Sequence, residues 1–438
     1  MRRDVRAFVA ATAALVAISG CTASTQEIDD PLSTPTNQIR LYGTDGNMLN
    51  GVGDLLTEHP NGMVGMKGTT PLSRLSQNFK DRLRSIDPDL IDESYAGETY
   101  DAVVISALAA QIARSTEPRE IAAQINGVTT RGTECDTPAE CLSLIRDGVD
   151  IRYRGISLGL GGFTDAGEPS ASTYGILRFA DNNHLDPAQT QYVPAGDAKQ
   201  ATTKAPPPGR GNGVGPLRIG ALLPKTGALA SAGPPLFAGA LLAIKEINEA
   251  GGVLGRDVVW IDGDDGTSAE VALQTVERLI DEGVHVIIGA GASSVTKAVL
   301  PTVLEAGVIL FSPCNTAAEF STMDDQGLYF RTAPPDNLQA AALTDVIMRD
   351  GVRRLVILAR EDAYGTGLME AVRDNLIRAG VASSDIRTMP YHPDQPDFSN
   401  LGTEVKDFGP DGVLIIGFEE TAQAIHSMIE AGLQSRPV

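Results

Sequence analysis

The sequence predicts an α/β protein whose mainly parallel sheets are flanked by helices. Three observations carry that prediction. From residue 217 onward, short runs rich in Val, Ile and Leu alternate with longer amphipathic stretches at helical spacing, the pattern of β-α-β units. Several runs end in Gly, Ser, Thr or Asp, at the carboxyl edge where open α/β sheets bind ligands. The 438 residues, 42% hydrophobic and 21% charged, suffice for two globular domains and exclude a disordered chain or a multi-span membrane protein.

In chain order, residues 39–44 read as a buried strand followed by the turn Asp45-Gly46, and 62–68 as a second strand. Helical spacing covers 72–83, 100–114 and 138–146, and a late strand covers 173–180. Residues 195–216 are polar and rich in Pro and Gly, with Pro206 to Pro208 stiffening a linker that divides the chain. The regular half follows. Strands are predicted at 217–224, 257–262, 285–289, 308–313, 354–360 and 411–418, with helices at 234–249, 268–282, 294–306, 338–349, 365–379 and 420–432. No internal repeat is visible.

The 35 basic against 56 acidic residues give a net charge of −21, and no basic cluster lies beyond residue 6. Such a surface repels phosphate backbones, so nucleic acid is not the expected partner. Arg2, Arg3 and Arg6 precede an apolar run over 7–18 and then Ser19, Gly20 and Cys21. That order makes a secretory signal, and the run is too short to span a bilayer. Ile18-Ser19-Gly20-Cys21 resembles the bacterial lipobox, which implies acylation of Cys21, residues 1–21 as signal and lipobox, and 22–38 as a tether. A plain secretory signal with an incidental cysteine is the alternative. In an exported, oxidising setting Cys135 and Cys141 are expected to close a small disulfide loop. Scattered histidines without ligand spacing argue against a metal site. Cys314 reads as a buried free thiol.

The segment from Leu217 onward resembles the type I periplasmic-binding family, the Leu/Ile/Val-binding proteins of ABC importers. The resemblance rests on residues 219–224 (IGALLP), 243–253 (AIKEINEAGGV), 288–294 (IGAGASS), 311–316 (FSPCNT), 330–332 (FRT) and 362–365 (DAYG), which occur in family order. It implies a two-lobed fold, each lobe a mainly parallel sheet flanked by helices. Residues 42–47 (YGTDGN), 100–103 (YDAV), 133–155 and 161–163 (GGF) resemble the family's carboxyl-terminal portion, yet precede the rest. The implied arrangement is a circular permutation. Residues 39–194 then supply parts of both lobes, 195–216 join the old ends, 217–335 belong to lobe one and 336–438 to lobe two. A 22-residue linker reaches roughly 70 Å when extended. Two incomplete fragments are the competing account.

The family closes its lobes around an amino acid. A zwitterion needs donors for its carboxylate and an acidic or carbonyl group for its ammonium. Ser293, with Ser294 beside it, sits where a strand gives way to a helix, and helix amino termini favour anions. By resemblance Ser293 and Thr316 are carboxylate donors, and Cys314 offers mainly backbone contact. Asp45 receives the ammonium, Tyr364 is the aromatic lid of lobe two, and Phe418 lies near another family aromatic. Each has a plainer reading: Ser293, Ser294 and Thr316 as helix caps, Asp45-Gly46 as a turn, Tyr364 as a core aromatic. Glu419-Glu420 could meet a cationic side chain or charge the first turn of the next helix, and the second reading is the one expected.

The expected function is capture of an amino acid or related small polar solute for an ABC permease, with the protein lipid-anchored on the outer face of the cell membrane. The alternative is a sensor of the same fold that feeds a signalling partner. No nucleophile elbow, phosphate loop, zinc spacing or triad points to an enzyme or to a cofactor.

Overall fold

The computed structural model describes residues 37–211, 215–394 and 397–436. The predicted signal segment with Cys21, and all of the tether before residue 37, lie outside the described residues.

One lobe is built on a five-stranded sheet in the order Tyr329–Arg331, Ile309–Ser312, Val286–Gly289, Arg218–Leu222, Val259–Ile261, every pair parallel. Both faces of a parallel sheet are covered, so its central strands read as continuous apolar runs. Alternate residues take opposite faces. Ile287 and Leu310 meet the face covered by helices Ala269–Asp281 and Ser293–Glu305; Val286, Ile288, Ile309 and Phe311 meet helices Gly233–Glu249 and Ala96–Ala113. The last of these has no polar face and is buried almost throughout, Glu98 and Asp101 included, as a helix enclosed by a core must be. It comes from the first half of the chain.

The other lobe holds an eight-stranded sheet. Strands Ile386–Tyr391, Leu355–Arg360, Gly412–Ile416, Gln38–Gly43 and Lys67–Pro71 run parallel in that order. Strands Ala171–Arg178 and Gln191–Gly196 close the far side antiparallel, and Gln434–Ser435 adds to the start of Gln38–Gly43. The first described strand is therefore central, with Leu41 opposite Val413 and Tyr42 opposite both Leu414 and Lys67.

The chain passes between the sheets at residues 72–76, 164–170 and 332–335. Two of these crossings are tied together. The Arg331 guanidinium, almost fully buried, donates from Nε to Glu168 Oε2 at 2.9 Å, and Arg331 N–H donates to Gly167 O at 3.0 Å.

Several expectations shift. The strand expected over 62–68 begins only at Lys67, because the residues before it form turns, with Gly65 at φ 82°. The helix expected from 72 starts at Gln77, where the Ser76 hydroxyl accepts from Phe79 N–H and caps it. Residues 195–196 complete a strand rather than opening a linker. The stretch after them is docked. Thr202 N–H donates to Phe163 O at 2.7 Å, Gln124 Nε2 donates to Pro207 O at 2.8 Å, and Pro206 packs on Gly127. Cys135 and Cys141 are joined as a disulfide, and Cys314 is a buried free thiol.

Candidate functional site

Between the two sheets lies a small cavity of about 30 Å³. The five-stranded lobe contributes Leu229, Ala232, the loop Gly291–Ser293, Cys314 and Thr316; the other contributes Asp45, Leu49, Tyr364 and Phe418. Each arrives where a strand ends or a helix begins. Residues 313–316 are fixed by the Ser312 hydroxyl, which accepts from the N–H groups of Cys314 (3.2 Å) and Asn315 (3.0 Å). The Asn315 amide in turn donates to Ala290 O and Gly291 O. The neighbouring loop is held by Asp265, whose Oδ2 accepts from Gly291 N–H at 2.8 Å; burial pushes that carboxyl up to about 6.

Asp45 is the polar centre. Its Oδ1 accepts from Gln339 Nε2 at 2.8 Å and from the Tyr364 hydroxyl at 2.9 Å, and its Oδ2 accepts from the Tyr95 hydroxyl at 2.8 Å. Burial raises its carboxyl above the ordinary range, while the three donors oppose that and favour the charged form. Asp336, buried at the start of helix Asp336–Arg349, is pushed well above the carboxylate range by burial and then by the charge of Asp45. The Thr316 hydroxyl opposes that rise. Of the two acids, Asp45 is the one that receives side-chain donors on both of its oxygens. Gly46 allows the close approach, since a Cβ there would stand 2.6 Å from Gly417 O and 2.7 Å from the Phe418 ring.

The opposite wall is rich in donors. Ser293 is the first residue of helix Ser293–Glu305, where backbone N–H groups lack partners within the helix. Its Oγ accepts from Ala317 N–H at 3.3 Å, which leaves its own proton to donate. The apolar wall is a stacked pair: Tyr364 and Phe418 have ring centroids 5.7 Å apart at 17°, and the Arg360 guanidinium lies 3.7 Å over the Phe418 ring. Arg360 is itself neutralised by Asp362 and Glu420, at 2.5 and 2.9 Å.

Six of the seven expected ligand residues line this cavity: Asp45, Ser293, Cys314, Thr316, Tyr364 and Phe418. Ser294 does not. One residue further round the helix turns a side chain by about 100°, and Ser294 sits half-buried to one side. Neither serine caps its helix, because Ala292 holds that position. The helix-charge reading of Glu419-Glu420 is also corrected. Glu420 accepts from Arg360 and from the Tyr391 hydroxyl at 2.7 Å, while Glu419 reaches the other lobe. Ser231 N–H donates to Glu419 Oε1 at 2.9 Å, and Glu419 N–H donates to Ala228 O at 3.2 Å.

Sequence reasoning missed Tyr95 and Gln339. Tyr95 holds a left-handed backbone at φ 58°, unusual for an aromatic residue. Its position just before the YDAV segment was the one available signal.

Two α/β lobes around a cavity with one acidic and one donor-rich wall define a class of two-lobed ligand-binding proteins. Residues 216–438, just over half of the chain, match the periplasmic binding protein family, and the chain belongs to that family. It is 25% identical over 221 residues to Leu/Ile/Val-binding protein homolog 3 of Brucella melitensis, covering 50% of this chain and 59% of that protein. It is 28% identical over 222 residues to a leucine-, isoleucine-, valine-, threonine- and alanine-binding protein of Pseudomonas aeruginosa, again covering 50% and 59%. The chain thus spans about six-tenths of the length of these relatives. Among solved structures, a leucine-binding protein from Thermotoga maritima aligns at 24% identity with a TM-score of 0.45, over 50% of this chain and 61% of that one.

Proposed function

We propose that this protein captures an amino acid with an apolar side chain and presents it to an ABC permease, as a binding protein rather than an enzyme. The observation that carries the reading is Asp45, a buried carboxylate facing a donor-rich wall across the cavity. The ligand ammonium pairs with Asp45, its carboxylate takes the Ser293 and Thr316 hydroxyls and the amides that open helix Ser293–Glu305, and its side chain lies against Tyr364 and Phe418. The names of the relatives, which bind leucine, isoleucine and valine, favour the same ligand class.

A cavity of about 30 Å³ has room for roughly one water. An amino acid therefore enters only when the lobes separate, by bending at the crossings near 72–76, 164–170 and 332–335. Closure around the ligand then gives the permease a shape to recognise.

Circular permutation is part of the proposal. It is supported by the central place of Gln38–Gly43 beside Gly412–Ile416, and by the packing of Ala96–Ala113 on the five-stranded lobe. In this reading residues 195–216 join the former ends, and Cys21 carries a lipid that holds the protein at the outer face of the membrane.

Thermal unfolding with a panel of amino acids tests the proposal, since a ligand that binds only the folded state raises its melting temperature. The expected result is a rise with leucine, isoleucine or valine. One cooperative transition that no amino acid shifts would sink the ligand assignment; no cooperative transition would sink the permutation.

A further inference from the structure

Outside the solute cavity, a cleft of about 970 Å³ runs between residues 55–59, residues 397–403 and helix Thr421–Glu430. Two histidines meet in it. His59 Nε2 lies 3.0 Å from His426 Nδ1 although 367 residues separate them in sequence, a pairing that ligand spacing could not reveal. Glu58 completes a group whose ligand atoms all lie within 4.8 Å of one another, and Glu430 Oε1 stands 3.8 Å from His59 Nε2.

Both histidines sit on fixed backbone. His59 O accepts from the Asn183 side chain at 2.8 Å and from Gly62 N–H at 2.9 Å. His426 belongs to a helix that buries Ala422, Ala424, Ile425 and Met428. Glu58 is exposed, with a carboxylate oxygen within 4.8 Å of the ligand nitrogens of both histidines. We propose that His59, His426 and Glu58 form a binding site for a divalent first-row transition metal.

The geometry favours some metals over others. With metal–nitrogen bonds of about 2.0–2.1 Å, nitrogens 3.0 Å apart subtend about 91–97° at the ion. That is the cis angle of octahedral or tetragonal coordination, the preference of Ni²⁺ and Cu²⁺ among N/O-bound ions. A tetrahedral site would hold the nitrogens about 3.3 Å apart, so Zn²⁺ needs a small adjustment. Glu58 supplies the carboxylate and water the remaining positions. A bound ion clips the turn at His59 to helix Thr421–Glu430. Neither histidine lines the solute cavity, so the site stands apart from the amino-acid reading.

The test is calorimetric titration of chelator-stripped, tag-free protein with NiCl₂, in the wild type and in His426→Ala, His59→Gln and Glu58→Gln. The expected result is one Ni²⁺ per chain, with affinity lowered at least about tenfold in each histidine variant, the lower end of what loss of an outer-shell partner alone costs a metal site. Glu58→Gln, at an exposed position, guards against loss of fold, and circular dichroism checks the other two. No binding by the wild type, or binding undiminished in a folded His426→Ala protein, overturns the site.

Discussion

The Tyr364 hydroxyl donates to Asp45 Oδ1 at 2.9 Å across 319 positions of sequence. The same tyrosine oxygen lies 2.7 Å from Thr44 Oγ1, so the end of one strand and the start of the helix after another meet at a single carboxylate. Tyr95 reaches that carboxylate from the opposite lobe. Asp45 is thus both the acidic group of the cavity and one of the points where the lobes touch.

Replacing Asp45 separates binding from folding. Asp45→Asn keeps the size of the side chain and removes the charge that pairs with an ammonium. Truncating one partner of a buried, hydrogen-bonded charge pair costs at least about 2 kcal/mol. Leucine affinity should fall at least about thirtyfold, with an unchanged circular dichroism spectrum. Affinity within about threefold of wild type would remove Asp45 from the site.

Glu419 offers a way to loosen closure without touching the ligand. Its side chain accepts from Ser231 N–H across the cleft at 2.9 Å, and it is not among the residues lining the solute cavity. Glu419→Ala should speed ligand dissociation roughly three- to tenfold, the worth of about one hydrogen bond. Stopped-flow displacement measures it, and an unchanged dissociation rate would mean that the contact does not latch the lobes.

Glu98 sets a pH dependence of stability. Burial pushes its carboxyl from 4.5 to about 8. Because the folded value is the higher one, the folded state binds the extra proton, and the contribution is complete below pH 4.5 and lost as pH rises to about 8. Glu98→Gln should therefore raise the melting temperature by a few degrees (about 2–4 °C per kcal/mol) at pH 8.5 and leave it nearly unchanged at pH 4. Equal effects at both values would contradict the assignment.

Cys21 tests the anchor. Expressed with its own amino terminus, the wild type should fractionate with membranes and Cys21→Ser should not. A Cys21→Ser protein that stays membrane-bound would leave the lipobox reading without support.

Much of this arrangement was legible in the sequence, and the reasons are specific. Buried parallel strands such as Val286–Gly289 and Gly412–Ile416 announce themselves as unbroken apolar runs, because both their faces are covered. Strand Tyr329–Arg331 does not. It has three residues, and its buried Arg331 reads as polar until Glu168 is seen beside it. Helix Pro118–Val128 opens on a proline, which punctuates a sequence pattern even where it suits the first turn of a helix. In the cavity, residues at strand ends could be placed in advance. Tyr95, Gln339 and the meeting of His59 with His426 depend on how distant segments pack, which no local pattern encodes.

The most direct test of the central claim compares leucine with N-acetyl-leucine by titration calorimetry. Acetylation removes the positive charge and leaves the carboxylate and side chain intact. If Asp45 receives the ammonium, leucine binds one to one and N-acetyl-leucine at least about a hundredfold more weakly, a difference of about 2.7 kcal/mol. Equal binding of the two would show that the ammonium does not meet Asp45, and the account of the cavity would fall.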